Sequence, residues 1–233
     1  MSRFKRIGHR GAGLIAPGNT RESFEAALRH GVDMVEFDVL RTRDGRLVLA
    51  HDRRDSRGRP DALSLEAGLD LFAQDAWSGV ELNVDIKAGG YEEVVARELA
   101  ARGLSSRALV SSMDPRSLAR VRAADPEVRL GLSVPRVKHN WYAHRATRVP
   151  AVAAVYAWRQ LLPPRLARAL RAGAIDAVMA HWCLVTPRMV AAVRDAGGEL
   201  YVWTVDEPAR IAELSALGVA GIASNDPRLF ATA

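Results

Sequence analysis

Short apolar runs with β-branched or aromatic residues recur along the chain, separated by longer stretches of helical period. The strand-like runs are FKRIGH (4–9), DMVEFDVL (33–40), LVLAH (47–51), VELNVDIK (80–87), ALVSS (108–112), VRLGLSV (128–134), IDAVMAH (175–181), ELYVWTV (199–205) and AGIAS (220–224). Helix ends are readable between them. Asn19 with Glu22 three residues on is a capping-box signature, and Gly31 closes that helix. Thr186 before Pro187, with Gly197 at the stop, frames a second, and Asp114 before Pro115 opens a third.

Nine strands are one too many for a (β/α)8 barrel. LVLAH follows EFDVL across a connection with Asp44-Gly45 at its tip, a two-residue hairpin signal. Parallel strands need a crossover of about a dozen residues or more, so these two run antiparallel. Removing that arm leaves eight strands in βα alternation, and the pattern predicts an α/β fold: a single (β/α)8 TIM barrel domain over residues 1–233, with a hairpin arm after the second strand. The alternative is an open doubly wound sheet. It lacks support, because GHRGAG after the first strand does not have the glycine spacing of a dinucleotide fingerprint. The segment PRVKHNWYAHRATRVP (135–150) reads as an irregular connection.

Composition adds limits. With 48% apolar and 26% charged residues in 233, the chain buries a core. The net charge of +6 is mostly arginine scattered through Ala-rich helices such as LPPRLARALRAG, with no basic tail. That is the pattern of a solvated helix face, so no nucleic-acid partner is expected, although long-range steering of anions is. The single Cys183 excludes an internal disulfide framework. No run approaches the 18 or so apolar residues of a membrane span, and the N-terminus lacks a signal-peptide core, so a cytoplasmic protein is expected. The sequence leaves the oligomeric state open.

Acidic residues inside these strands are the chemical signal. Glu36 and Asp38 share one face, opposite Val35, Phe37 and Val39. In ELNVDIK, Asn83, Asp85 and Lys87 share a face in the same way. Carboxylates side by side in a barrel repel and need compensating charge, which a divalent cation with oxygen ligands provides. His9 ends the first strand, where barrel enzymes keep catalytic groups. With Asp44 and Gly45 as the two turn residues, cross-strand partners sum to 89, which sets His51 opposite Asp38. Two imidazoles, a hard metal and the basic Arg10 suit phosphoryl chemistry.

GHRG, APGNT, VEFDVLRTRDGRLVLAHD, LNVDIK, LVSSMDPRSLARVR, YVWTVDEP and GVAGIASNDP resemble, in order and spacing, the glycerophosphodiester phosphodiesterase family over nearly the whole chain. The resemblance implies a metal-dependent barrel that hydrolyses glycerophosphodiesters to sn-glycerol 3-phosphate and an alcohol. By position it makes His9 and His51 the catalytic pair and Glu36, Asp38 and Asp85 the ligands of one divalent cation, Mg2+ or Ca2+. It sets Arg10 and Lys87 against the phosphate and Trp203 on the glycerol side, with a small-molecule phosphodiester as partner. Four departures stand out. Asp85 replaces the usual Glu, Gly18 replaces the Glu of the APENT pattern, and Asn225 replaces a common Asp, read here as a structural change. RRDSRGRPDA is a reduced form of the family's insertion after the His-Asp pair, which implies a more open pocket. The related phospholipase D toxins also use Asp as third ligand and lack the insertion. Alternatives are therefore a phospholipase D-type activity on lysophospholipids, or a weakly active phosphodiester-binding barrel.

Plainer readings suit the remaining candidates. His139, Trp141, Tyr142 and His144 read as a surface loop, His181 and Cys183 as packing, and Trp158 and Trp182 as core or rim.

Overall fold

Each strand-like run becomes a strand; most ends shorten by a residue or two where the chain turns into a loop, while the 108–112 run keeps its ends and the 33–40 run extends to Arg41. The computed structural model describes residues 4–59, 61–136 and 145–232. Its strands are β1 (Lys5–Gly8), β2 (Met34–Arg41), β3 (Leu47–Leu49), β4 (Glu81–Ile86), β5 (Ala108–Ser112), β6 (Arg129–Val134), β7 (Ala177–His181), β8 (Glu199–Trp203) and β9 (Gly221–Ser224). All pair in parallel except β3, which runs antiparallel to β2. β1 pairs with both β9 and β2, so the eight parallel strands close into a (β/α)8 barrel and β3 is the appended arm. The sequence expectation of the fold is met.

The helices between the strands are α1 (Arg21–Arg29), α2 (Arg53–Gly58), α3 (Leu65–Phe72), α4 (Glu92–Ala100), α5 (Pro115–Ala124), α6 (Arg145–Arg171), α7 (Pro187–Arg194) and α8 (Pro208–Leu217). Asp114 and Thr186 cap α5 and α7 as expected. α1 differs: its cap is Thr20, boxed with Ser23, and Asn19 stands one residue outside with φ 61°. Part of the stretch expected to be irregular is helical, because α6 already begins at Arg145; residues 137–144, with His139, Trp141, Tyr142 and His144, lie outside the described residues. Among the described residues no helix is long and apolar enough to cross a membrane.

Alternation along the strands divides the interior into layers. At the N-terminal end Lys5 bonds Glu81 at 2.7 Å, and Arg129 joins Glu199 at 2.8 Å and also Glu81, a ring of opposite charges that closes the floor. Above it Ile7, Met34, Leu109, Met179, Tyr201 and Ala223 form an apolar plug. The outward faces pack on the helices. Behind β2, Phe37 stacks on Phe72 at 5.0 Å, and Phe24 and Trp77 meet Phe72 edge-on at the same distance. Aromatic pairs of this kind add about 0.5–1.5 kcal/mol each beyond their burial, and here they anchor the strand that carries Glu36 and Asp38.

The hairpin differs from expectation by one residue. Val39 pairs with Leu49 and Leu40 with Val48, so partners sum to 88 rather than 89. The loop has three residues: Thr42 N–H donates to Arg46 O at 2.9 Å, and Gly45 takes the left-handed conformation at φ 90°. Asp38 therefore faces Ala50, whose N–H reaches its carbonyl at 3.2 Å. His51 lies past the end of β3.

Candidate active site

The C-terminal rim of the barrel gathers what the apolar plug excludes. Glu36 is 6% exposed and Asp38 fully buried, and Asp85 lies beside Asp38 on the neighbouring strand. The ligand-type oxygens of all three come within 4.8 Å of one another. Asp85 does so despite its short side chain, and Ser111 Oγ donates to its Oδ1 at 2.8 Å. Lys87 Nζ sits between Asp38 Oδ1, at 2.6 Å, and Asp85 Oδ2.

The loop after β1 completes the cluster. Gly8 is needed there, since a Cβ would lie 2.3 Å from Gly11 O. Arg10 takes φ 53°, its N–H donates to Glu36 Oε2 at 2.8 Å, and its Nε lies 3.2 Å from Asp38 Oδ2. Asn19, expected to cap α1, is instead a buried partner of Asp38. Its Nδ2 donates to Oδ2 at 2.8 Å, and its Oδ1 accepts the Asp38 N–H at 3.1 Å. Asparagine tolerates the left-handed backbone that this turn requires, which is the sequence signal for such a role.

His9 is held from behind. Its Nδ1 lies 2.7 Å from Asn225 Oδ1, while Asn225 Nδ2 and backbone N–H donate to Asp206 at 2.7 and 2.8 Å. Asn225 is thus a partner of the site histidine, not the structural substitution its sequence position suggested. Because the carboxylate of Asp206 only accepts, the amide must present its oxygen to the imidazole. His9 therefore carries its proton on Nδ1, and its Nε2, 3.9 Å from Glu36 Oε2 and 3.5 Å from Thr204 Oγ1, keeps its lone pair toward the pocket. His51 reaches the same pocket without the expected cross-strand pairing. Its N–H donates to Asp55 Oδ2 at 3.0 Å, and its Nδ1 lies 3.5 Å from Asp52. The reduced insertion is α2, capped by Asp52.

Proton affinities follow from these neighbours. Burial, then Arg10, lowers His9 to about 4. Burial also lowers His51, with Arg10 and Lys87 in the same direction and Asp38 against them. Glu36 is pushed well above the usual carboxylate range by burial and then by Asp38 and Asp85. Burial opposes the ionisation of Asp38, but Lys87, Arg10 and His51 outweigh it and hold that carboxyl low. Three acids against Lys87 and Arg10 leave Glu36 short of positive charge. All-oxygen donors with one carboxyl still seeking a counter-charge fit a hard divalent cation.

The resulting pocket, about 130 Å3, is lined by His9, Arg10, Glu36, His51, Asp85, Lys87 and Trp203, with Asp38 behind them. Trp203 is fixed by its Nε1–H to Met179 O at 2.9 Å. All eight residues singled out in the sequence therefore converge, and Asn19, Ser111, Asn225 and Asp206 join them. His181 stacks edge-on against Trp203 at 5.2 Å from outside the pocket, and Cys183 packs on the outer core. Trp158 packs on that core as well, and Trp182 is partly exposed.

Comparison with known proteins agrees with this geometry. The model of the glycerophosphoryl diester phosphodiesterase family matches residues 9–62 and 73–229. A glycerophosphodiester phosphodiesterase of Caldanaerobacter subterraneus is 24% identical over 253 residues, covering 95% of this chain and 93% of the relative. The crystal structure of a glycerophosphodiester phosphodiesterase from Parabacteroides distasonis superimposes with a TM-score of 0.73 at 19% identity, covering 98% of each chain. An Oleispira antarctica phosphodiesterase in complex with the product sn-glycerol-3-phosphate does so with a TM-score of 0.69 at 19% identity, over 98% of this chain and 95% of that one. A barrel whose mouth gathers these acids, bases and imidazoles, matched by one family model along most of its length, belongs to the glycerophosphoryl diester phosphodiesterase family and is a phosphoric diester hydrolase.

Proposed function

We propose that this protein hydrolyses glycerophosphodiesters to sn-glycerol 3-phosphate and an alcohol, with a divalent cation, Mg2+ or Ca2+, held by Glu36, Asp38 and Asp85. The observation that carries the reading is the meeting of three carboxylates within 4.8 Å with two imidazoles in one pocket. When bound, the cation supplies Lewis-acid charge for the phosphate oxygens. Arg10 and Lys87 add positive charge on the same side, and Trp203 offers an apolar wall to the glycerol carbons.

The two histidines divide the proton transfers. His9 is neutral, with its Nδ1–H committed to Asn225, so its Nε2 accepts the proton of the attacking oxygen as that oxygen bonds to phosphorus. The bond from phosphorus to the alcohol oxygen breaks, and the leaving oxygen takes a proton from His51. His51 suits the acid role because it is more exposed and has Asp38 and Asp52 beside it. Burial with Arg10 and Lys87 lowers its proton affinity in the free protein, and a phosphodiester anion in the pocket counters that pull and favours the charged form.

The test is release of sn-glycerol 3-phosphate from glycerophosphocholine and glycerophosphoethanolamine, with and without chelator. Turnover abolished by chelator and restored by Mg2+ or Ca2+ is expected. No turnover with either cation, or turnover indifferent to chelator, overturns the reading.

A further inference from the structure

The reduced insertion next to His51 has little to hold it in place. The chain leaves β3 at Leu49 and returns to it at Leu63, whose O accepts the Leu49 N–H at 2.8 Å. Between them lies α2, six residues long with none of them buried. A helix this short is not stable by itself, and this one has no apolar face to anchor it. His51 immediately precedes the capping residue, and its N–H goes to Asp55 Oδ2 in the first turn of α2 at 3.0 Å. Where α2 is held therefore sets where the imidazole stands.

Arg59, the residue that ends α2, supplies an anchor. Its Nη2 donates to Asp55 Oδ2 at 2.7 Å, the same oxygen that accepts the His51 N–H. Its Nη1 donates to Gly18 O at 2.9 Å, across to the loop after β1. That loop is firmly held. Arg10 O accepts the Asn19 N–H at 3.0 Å and the Ser23 hydroxyl at 2.8 Å, and Asn19 in turn bonds Asp38. Gly18 suits the far end of this bridge, because a Cβ there would lie 2.9 Å from Arg10 Cβ and a side chain would displace Arg10. The Arg59 Nε is buried without a partner, so the guanidinium is aimed by its two bonds and not by solvent. One rigid fork reaching two acceptors is a geometry that lysine does not reproduce.

We infer that Arg59 is a positioning residue for His51: it clamps α2 to the loop that carries His9 and Arg10, and so holds the two imidazoles in register. The inference rests on the phosphodiesterase reading with His51 as the acid. Arg59 does not itself line the pocket, so its effect travels through Asp55 and the His51 backbone.

The leaving group separates this role from a merely structural one. An alkoxide must be protonated as it leaves, whereas p-nitrophenolate leaves without a proton. The test compares kcat for glycerophosphocholine with kcat for the p-nitrophenyl ester of glycerol phosphate, with Mg2+ or Ca2+ present. In Arg59→Ala the ratio of the first to the second should fall by about 10- to 100-fold, the order of loss for a catalytic group misplaced by about 1 Å. Arg59→Lys keeps the charge but not the fork, and its ratio should fall less. His51→Ala should lower the same ratio at least as far as Arg59→Ala. Both Arg59 variants should melt cooperatively, since α2 contributes nothing to the core. A ratio unchanged in Arg59→Ala while His51→Ala lowers it overturns the clamp and leaves the phosphodiesterase reading standing. Failure of both Arg59 variants to fold does the same, by showing an anchor that the whole barrel needs. A ratio unchanged in His51→Ala overturns the acid role on which the clamp rests. No turnover of either diester by the wild type overturns the phosphodiesterase reading itself.

Discussion

Exchanging the charges behind His9 gives the sharpest handle on the site. In the double variant Asn225→Asp with Asp206→Asn, net charge is preserved and a carboxylate moves into contact with His9 Nδ1, where an amide oxygen now lies at 2.7 Å. The amide introduced at position 206 would still accept the backbone N–H of residue 225 and donate to its side chain, so the local hydrogen bonds survive. The protonated imidazole gains an adjacent anion, which raises a pKa by about 1–3 units. His9 starts at about 4. A rise to roughly 6 would cut its neutral fraction at pH 5 from about nine tenths to about one tenth, a roughly tenfold loss, with little change at pH 8. The assay is kcat/KM against pH, which reports the free enzyme. The single variant Asn225→Asp should shift less, because its carboxylate would meet Asp206 where a 2.7 Å contact now stands and the pair would share a proton. An acidic limb that stays in place or moves down in the double variant would refute both the neutral His9 and its Asn225 support.

Other outcomes follow from the same geometry. His9→Ala and His51→Ala should each lower kcat by about 10²–10⁴-fold while the barrel still unfolds cooperatively; more than about a tenth of the activity remaining in either would sink the division of roles. Glu36 binds its proton more tightly folded than unfolded. Without cation its contribution to stability is therefore full below the ordinary glutamate value and is lost as pH rises through the raised folded one. Cation binding needs Glu36 ionised, so the gain in Tm on adding Mg2+ or Ca2+ should be larger at pH 8 than at pH 5, and an equal or absent gain in thermal melts would count against the ligand set. Gly8→Ala places a methyl 2.3 Å from Gly11 O; it should destabilise by about 1–3 kcal/mol in denaturant titrations and lower activity by displacing His9 and Arg10. Wild-type stability in that variant would show the β1 loop to be freer than its packing implies.

Neighbours along the chain determined what period alone can encode. Alternation set Glu36 and Asp38 on one face of β2 and Asn83, Asp85 and Lys87 on one face of β4, and the strand count with one antiparallel arm gave the barrel. Motif resemblance then picked out the eight residues that line or back the pocket. Tertiary structure decided the rest, because it depends on contacts that no local pattern records. The turn at Asp44 and Gly45 was legible, but whether two or three residues sit in it depends on how β3 packs, and one residue moves the register from 89 to 88. Asn19 looked like a helix cap because caps and buried turn residues draw on the same small amides; only the approach of the β1 loop to β2 assigns its amide to Asp38. Asn225 stands 216 residues from His9 in the chain. Nothing near it signals a partner for His9, and barrel closure, which pairs β9 with β1, brings it against the imidazole and decides where that ring keeps its proton.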